Sequence, residues 1–319
     1  HTRLAAVSWA SEMCIRDRPG QIDMDKNKVY QYRKTFDCPQ DFMGNKLILS
    51  FEGVESNIYV WLNGKFIGYS EDSFTPSRFD ITKYTQEKDN VLCVRIFQKC
   101  TGTWLEDQDM WRFSGIFRDV MIYKQPSLHI QDLKIDTDIN LDTNKSVLSC
   151  VCKMSSNEPH TLQAKLYDPQ GNIVWNGNMQ DTFEIPVENT CLWSSEFPNL
   201  YQLELVLYDT NNEIIESIQE QVGFRKFTLE YGIMKLNGKR IVFHGINRHE
   251  WNPKTGRCLS QDQMEEDIHM LKSLNINAIR TSHYPNNSYW YKLCDQYGIY
   301  VIDAVSYTHL RAHETAANL

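Results

Sequence analysis

The apolar pattern of this chain changes period once, near residue 224, and that change limits the folds open to it. From Tyr30 to Tyr208, apolar residues recur at alternate positions in short runs broken by Gly, Pro, Asn and Asp, the pattern of half-buried strands. Beyond Phe224 they recur at three- and four-residue spacing, the pattern of amphipathic helices, with short apolar runs between. All-β modules followed by an alternating α/β unit are therefore expected. The 319 residues suffice for two or three modules, since domains usually run about 100 to 150 residues.

In the first module, residues 21–125, strands are predicted at Lys46–Phe51, Ile58–Leu62, Lys65–Tyr69, Asn90–Phe97 and Val120–Tyr123. Asn63-Gly64 between two of them predicts a tight hairpin, because a type I′ turn needs positive φ at both central residues. The second module, residues 126–224, alternates at Val147–Val151, Leu162–Tyr167 and Leu203–Tyr208, with turns at Asp168-Pro169-Gln170-Gly171 and around Pro198-Asn199. Its size and strand spacing fit an immunoglobulin-like sandwich of about 100 residues.

In the third, residues 225–303, Ile241–Phe243 reads as a buried strand. Ser260–Leu274 reads as a helix with Met264, Ile268, Leu271 and Leu274 on one face and a Ser260/Gln263 capping box. Ala278–Thr281 is a strand, Ser288–Tyr297 a helix closed by Gly298, and Ile299–Asp303 a strand. This β-α-β-α-β run is the opening of a parallel α/β unit, and three strands leave an unpaired edge. Aggregation is expected through Ile241–Phe243 and Tyr300–Ile302. Residues 1–20 and 304–319 show neither periodicity nor caps and are expected to be foreign to the protein.

A formal net charge of −8 argues against nucleic acid or an anionic membrane surface as partner. No run approaches the roughly 20 apolar residues of a membrane span, and Arg3, Glu12, Arg16 and Asp17 stand where a leader needs an apolar stretch. A cytoplasmic protein is the default expectation, or a periplasmic one if a signal peptide has been lost. Nine cysteines form no C-x-x-C pair and no metal-like cluster, so free, mostly buried thiols are expected, with Cys150 and Cys152 at alternate strand positions.

The polar clusters fall where barrel strands would end, the place where such folds carry chemistry. One is His244-Gly245-Ile246-Asn247-Arg248-His249-Glu250; the other is Arg280-Thr281-Ser282-His283-Tyr284-Pro285-Asn286. Imidazole and amide groups hydrogen-bond hydroxyls in both directions, Arg orients a carboxylate and Tyr stacks on a sugar face, so the set suits a polyhydroxylated ligand. His244, nearer the strand interior, is expected to be structural; His249 and His283 are expected to face the ligand. A third cluster, Trp104-Leu105-Glu106-Asp107-Gln108-Asp109-Met110-Trp111-Arg112, fits two accounts. One is a solvated acidic loop with Trp111 packed beneath it; the other is a sugar or cation site.

The run Asn277-Ala278-Ile279-Arg280-Thr281-Ser282-His283-Tyr284-Pro285, continuing through Trp290-Tyr291 and Asp295 to Gly298-Ile299-Tyr300-Val301-Ile302, resembles the signature of glycoside hydrolases that include β-galactosidases, β-glucuronidases and β-mannosidases. Asn237-Gly238-Lys239 leading to His244–Glu250 is a second matching block. Leu105–Val120, with Glu106–Arg112 and Ser114-Gly115-Ile116-Phe117-Arg118-Asp119, resembles β-galactosidases in particular. The resemblance covers about Lys28 to Asp303. It implies a jelly-roll sugar-binding-like domain, an immunoglobulin-like domain and the start of a (β/α)8 TIM barrel, in a protein that hydrolyses terminal β-D-galactosides such as lactose with retention.

By the same resemblance, Asp109 would contact the galactosyl group and a sodium ion. His249, His283 and Asn247 would bind substrate, and Arg280 would orient the nucleophilic carboxylate. Retention needs two carboxyl groups about 5 to 5.5 Å apart. In the family both are glutamates on later barrel strands, which this sequence lacks together with the magnesium ligands. The full-length parent is expected to be a homo-oligomer and this chain to be inactive. A non-catalytic carbohydrate-binding protein, or a glucuronidase or mannosidase of the same fold, is the alternative.

Overall fold

The computed structural model describes residue 22 and residues 24–304 apart from Asp107, so the expectations for residues 1–20 and 305–319 lie outside the described residues. The first module is a jelly-roll sandwich. One sheet orders Val29–Phe36, Asn90–Phe97, Asn57–Leu62 and Lys65–Glu71; the facing sheet orders Ser77–Asp80, Lys46–Phe51 and Val120–Gln125, with all neighbours antiparallel. Alternation fills the space between them with Leu47, Leu49 and Phe51 from one side and Ile58, Val60, Leu62, Leu92, Val94 and Ile96 from the other. Asn63 and Gly64 take φ of 51° and 76°, as the hairpin requires. The outer strand Val29–Phe36 was not expected. Its residues are half-buried or exposed throughout, so it carries no apolar alternation.

The second module packs Ile130–Asn140, Lys145–Met154 and Thr182–Glu188 against Ile173–Met179, Thr161–Tyr167, Tyr201–Tyr208 and Ile214–Val222, an immunoglobulin-like arrangement. Cys150 and Cys152 both point inward at alternate positions beside Leu148. Burial pushes their thiols up to about 12 and about 11.

An antiparallel meander, Phe227–Glu230, Ile233–Leu236 and Lys239–Arg240, precedes the barrel unit and was not expected. The barrel strands Gly245–Arg248, Ala278–Thr281 and Tyr300–Ile302 then run parallel in chain order, joined by helices Gln261–Ser273 and Ser288–Tyr297. Ser260 caps the first helix in the expected reciprocal box with Gln263, and Gly298 ends the second at φ 70°. Met264, Ile268 and Leu271 pack with Trp290, Leu293 and Ile279 beneath the sheet.

Three expectations need correction. The first barrel strand is Gly245–Arg248 and not Ile241–Phe243, where Val242 and Phe243 lie exposed. That segment is held by one side chain: Asn277 Nδ2 donates to Val242 O at 2.9 Å, and His244 N donates to Asn277 Oδ1 at 2.8 Å. His244 is accordingly exposed and not an interior residue. Leu274 is exposed as well, because it is the C-cap of its helix and lies past the last packed turn.

The modules are docked through specific residues. Trp193 of the second module, 1% exposed, donates from Nε1 to Asp295 O at 2.8 Å, and Ser195 Oγ donates to Gly298 O at 2.6 Å. No helix among the described residues is long and apolar enough to cross a membrane.

Candidate functional site

In a parallel pair, residues in register share a face, and alternate residues change face. Ile279 and Val301 pack on the helices, so the opposite face of the sheet carries Asn247, Arg280 and Ile302, with Asn247 in register with Arg280 and Arg280 with Ile302. Asn247 is exposed on that face, and Arg280 is half-buried and donates from Nη1 to Ser282 Oγ at 3.3 Å.

His249 follows the first strand directly and His283 lies two residues past the second. Their rings meet edge to face with centroids 5.7 Å apart, and Tyr284 lies 6.5 Å from His249. The His249 imidazole is held below its ordinary pKa, first by burial and then by repulsion from His283, Arg257 and Arg280, while Asp109 pulls it upward. At neutral pH the ring is therefore uncharged, with one donor and one acceptor nitrogen for hydroxyl groups.

Asp109 stands exposed on a loop of the first module, near enough for its charge to act on the His249 ring. Of the two accounts of its cluster, the loop with a buried indole fails in one respect. Trp111 is 58% exposed, and its ring lies 4.7 Å from Trp251 and 6.4 Å from His249. Glu106, by contrast, is a buried strut that accepts hydrogen bonds from Ser73 N at 2.8 Å and Ser73 Oγ at 2.6 Å. Asp107 lies outside the described residues.

Two buried ion pairs, unforeseen from the sequence, hold the first module against the barrel loops. Arg118 Nη2 lies 2.6 Å from Glu250 Oε2 and also donates to Pro285 O at 2.7 Å, while Glu250 Oε1 accepts from Asn287 N at 2.8 Å. The Arg257 guanidinium sits 3.2 Å from Glu55, donates to Trp111 O, and is enclosed by the rings of Phe74, Phe113, Phe117 and Tyr284. Below them, Arg248 donates to Asp267 and Asn286, each at 2.8 Å, with its guanidinium 3.6 Å from the Trp290 centroid. Arg118 and Arg248 stood in the matched blocks of the sequence and Arg257 did not; for all three, what no local pattern could reveal was their partners.

At the end of the third strand, Asp303 Oδ1 accepts from Tyr291 OH at 2.6 Å and Thr281 Oγ1 at 3.0 Å. Among the described residues no three His, Cys, Asp or Glu side chains gather to hold a metal. Asp109 alone does not compose a sodium or magnesium site.

Three models of glycosyl hydrolases family 2 match consecutive stretches: the sugar binding domain at residues 14–126, a second domain at 128–225 and the TIM barrel domain at 227–318. The chain is 49% identical over 296 residues to a β-galactosidase of Halalkalibacterium halodurans, covering 91% of this chain and 29% of that one. A Clostridium acetobutylicum β-galactosidase is 43% identical, covering 93% and 33%, and a Leuconostoc lactis β-galactosidase large subunit is 44% identical, covering 91% and 47%. The chain thus spans between about a third and a half of the length of these relatives. Among solved structures, Bacteroides uniformis β-glucuronidase superposes with a TM-score of 0.79 at 24% identity, covering 88% of this chain and 36% of that one. Ruminococcus gnavus β-glucuronidase gives 0.79 at 23% identity, covering 90% and 51%. At such identity the likeness concerns the fold. With three consecutive domains matched in order, the chain belongs to glycosyl hydrolase family 2.

Proposed function

We propose that this chain supplies one wall of the galactosyl pocket of a retaining β-galactosidase, which removes terminal non-reducing β-D-galactose from β-galactosides such as lactose. The observation that carries the proposal is the edge-to-face meeting of His249 and His283 at two barrel strand ends, beside Trp111 of the jelly-roll loop that also carries Asp109. A carboxylate and two imidazoles around one space offer hydrogen bonds of both senses to sugar hydroxyls. Asn247 and Arg280 line the inner face of the sheet next to them, where Arg280 would hold a carboxylate from elsewhere in the barrel.

The two glutamates that retention requires are expected outside this sequence, so the chain alone should turn over no galactoside. Magnesium, sodium and homo-oligomeric assembly belong to the same proposal and rest on the resemblance. A reducing, cytoplasmic setting is supported by the eight described cysteines, all free thiols.

The test is a chimera in which residues 24–303 replace the matching segment of the Halalkalibacterium halodurans β-galactosidase. It should hydrolyse an aryl β-galactoside and release β-galactose first, and Asp109→Ala or His283→Ala should lower kcat/KM by about a hundredfold or more. Preference for a β-glucuronide would transfer the pocket to the other substrate class. An inactive chimera, with lactose still bound by the chain, would favour carbohydrate binding without catalysis.

A further inference from the structure

The loop that carries Asp109 is held at both ends, and by different modules. At its start Glu106 is fixed inside the jelly roll by Ser73. At its end Phe113 N donates to the Glu55 carboxylate at 3.2 Å, and Trp111 O accepts from Arg257 Nη2. Glu55 belongs to the jelly roll. Arg257 belongs to the connection between barrel strand Gly245–Arg248 and helix Gln261–Ser273, the same connection that begins with His249. Within it Asn252 and Gly256 exchange backbone hydrogen bonds of 2.8 and 2.9 Å, and Arg257 follows that tight bend into the jelly roll.

There the Arg257 side chain is 3% exposed and faces Glu55, 7% exposed, at 3.2 Å. Its guanidinium lies 4.7 Å from the Tyr284 centroid and 5.0 Å from that of Phe74. Those two rings are stacked on each other, 4.1 Å and 12° apart, Tyr284 coming next after His283 and Phe74 from the jelly roll. Apolar residues would dock the modules as well, because replacing a buried ion pair by well-packed apolar groups often leaves stability unchanged or raises it. They could not hydrogen-bond the Trp111 carbonyl and face Glu55 at once, which the rigid planar fork of arginine does with both directions set. We propose that Arg257 is a positioning residue: from the His249 connection it holds the far end of the Asp109 loop, and so keeps that jelly-roll wall at a fixed place beside the two imidazoles. This rests on the galactoside reading above and adds the residue that sets the placement of the loop.

The experiment is a double-substitution cycle with Asp109→Asn, read in two ways. In the 319-residue chain with labelled histidines, NMR follows the titration midpoint of His249, on which the charges of His283, Arg257, Arg280 and Asp109 act. Arg257→Lys keeps the positive charge and loses the fork. Asp109→Asn should lower the His249 midpoint in the unaltered chain and leave it in place in Arg257→Lys. In the chimera with the Halalkalibacterium halodurans β-galactosidase, Asp109→Asn should lower kcat/KM by about a hundredfold and Arg257→Lys alone by about tenfold. Added to Arg257→Lys, Asp109→Asn should cost no more than about threefold further. Glu55→Gln keeps an acceptor for Phe113 N and removes the charge facing Arg257. It should reduce the same coupling to a smaller degree, and it replaces Arg257→Lys in the cycle should that variant not fold. Equal effects of Asp109→Asn in both backgrounds, or no effect on the His249 midpoint in the unaltered chain, overturn the positioning role, whatever stability the variants lose. A chimera whose kcat/KM ignores Asp109→Asn, while the NMR cycle shows the coupling, strikes the galactoside reading and leaves the placement of the loop by Arg257 standing.

Discussion

Arg118 Nη2 and Glu250 Oε2 lie 2.6 Å apart with both side chains buried, and the pair spans two modules. Glu250 follows His249 in the chain, and the same guanidinium nitrogen holds the carbonyl of Pro285, two residues after His283. One arginine of the jelly roll therefore fixes both histidine loops of the barrel. This gives the proposed site, which draws on separate domains, a defined geometry.

Removing one partner strands the other charge in a buried place, at a cost of about 3 to 5 kcal/mol. Arg118→Met should lower the urea midpoint of unfolding accordingly and broaden the His249 and His283 ring resonances. Glu250→Gln keeps a hydrogen-bonding amide at the same site and should cost less. Equal midpoints for Arg118→Met and the unaltered chain would show that the pair contributes nothing to the docking of the modules.

Local chemistry made much of this fold readable. Ser260 and Gln263 form their capping box, Asn63-Gly64 makes its turn, and the strands with strict alternation stand where their apolar residues place them. Reading failed where burial and pattern part company. Val29–Phe36 has no buried residue, so nothing in it alternates. Ile241–Phe243 is apolar enough for a strand, but the ladder begins at Gly245, where a Cβ would approach Ala278 Cβ to 3.2 Å and only glycine fits without displacement. His249, His283 and Asp109 were legible as strand-end or loop residues within long motifs. Their supports were not, since Arg118 and Glu250 are 132 residues apart and no local pattern joins them.

The His249 imidazole gives a direct probe of whether the jelly-roll loop reaches the barrel in solution. Its folded-state pKa lies below the ordinary value of about 6.5, so the unfolded chain takes up this proton first as pH falls. The contribution of His249 to stability is complete above that value and is lost as pH drops toward the folded pKa. By NMR titration, His283→Ala should raise the His249 midpoint, because it removes a repelling neighbour. Asp109→Asn should lower it, because it removes an attracting one. A midpoint unaffected by Asp109→Asn would separate the loop from the site.

Gly298 answers two demands at once: a left-handed backbone at φ 70° and contact with Ser195, whose carbonyl oxygen would lie 2.4 Å from an added Cβ. Gly298→Ala should therefore lose more than the roughly 1 to 2 kcal/mol of the backbone alone. Gly171→Ala, at φ 86° with open space around it, should lose only that. Urea denaturation of both variants measures the difference, and equal losses would mean that the second module yields freely where it meets the barrel.

The inner face of the barrel sheet is apolar as well as polar, and the described residues leave it uncovered. Val242 is 55% exposed and Ile302 56%, and Phe243, Tyr300 and Ile302 line a cleft of about 450 Å³ together with Trp193 and Leu236. Among the described residues the strands Gly245–Arg248 and Tyr300–Ile302 each pair on one side only, which leaves both edges of the sheet open, that of Tyr300–Ile302 beside the cleft. Sedimentation velocity should show association that grows with concentration. Phe243→Ser combined with Ile302→Lys should move the population toward monomer, whereas Phe197→Ser, which removes an isolated exposed ring 71% open to solvent on the second module, should not. An unaltered chain that stays monomeric at every concentration reached would mean that the uncovered face carries no drive to associate.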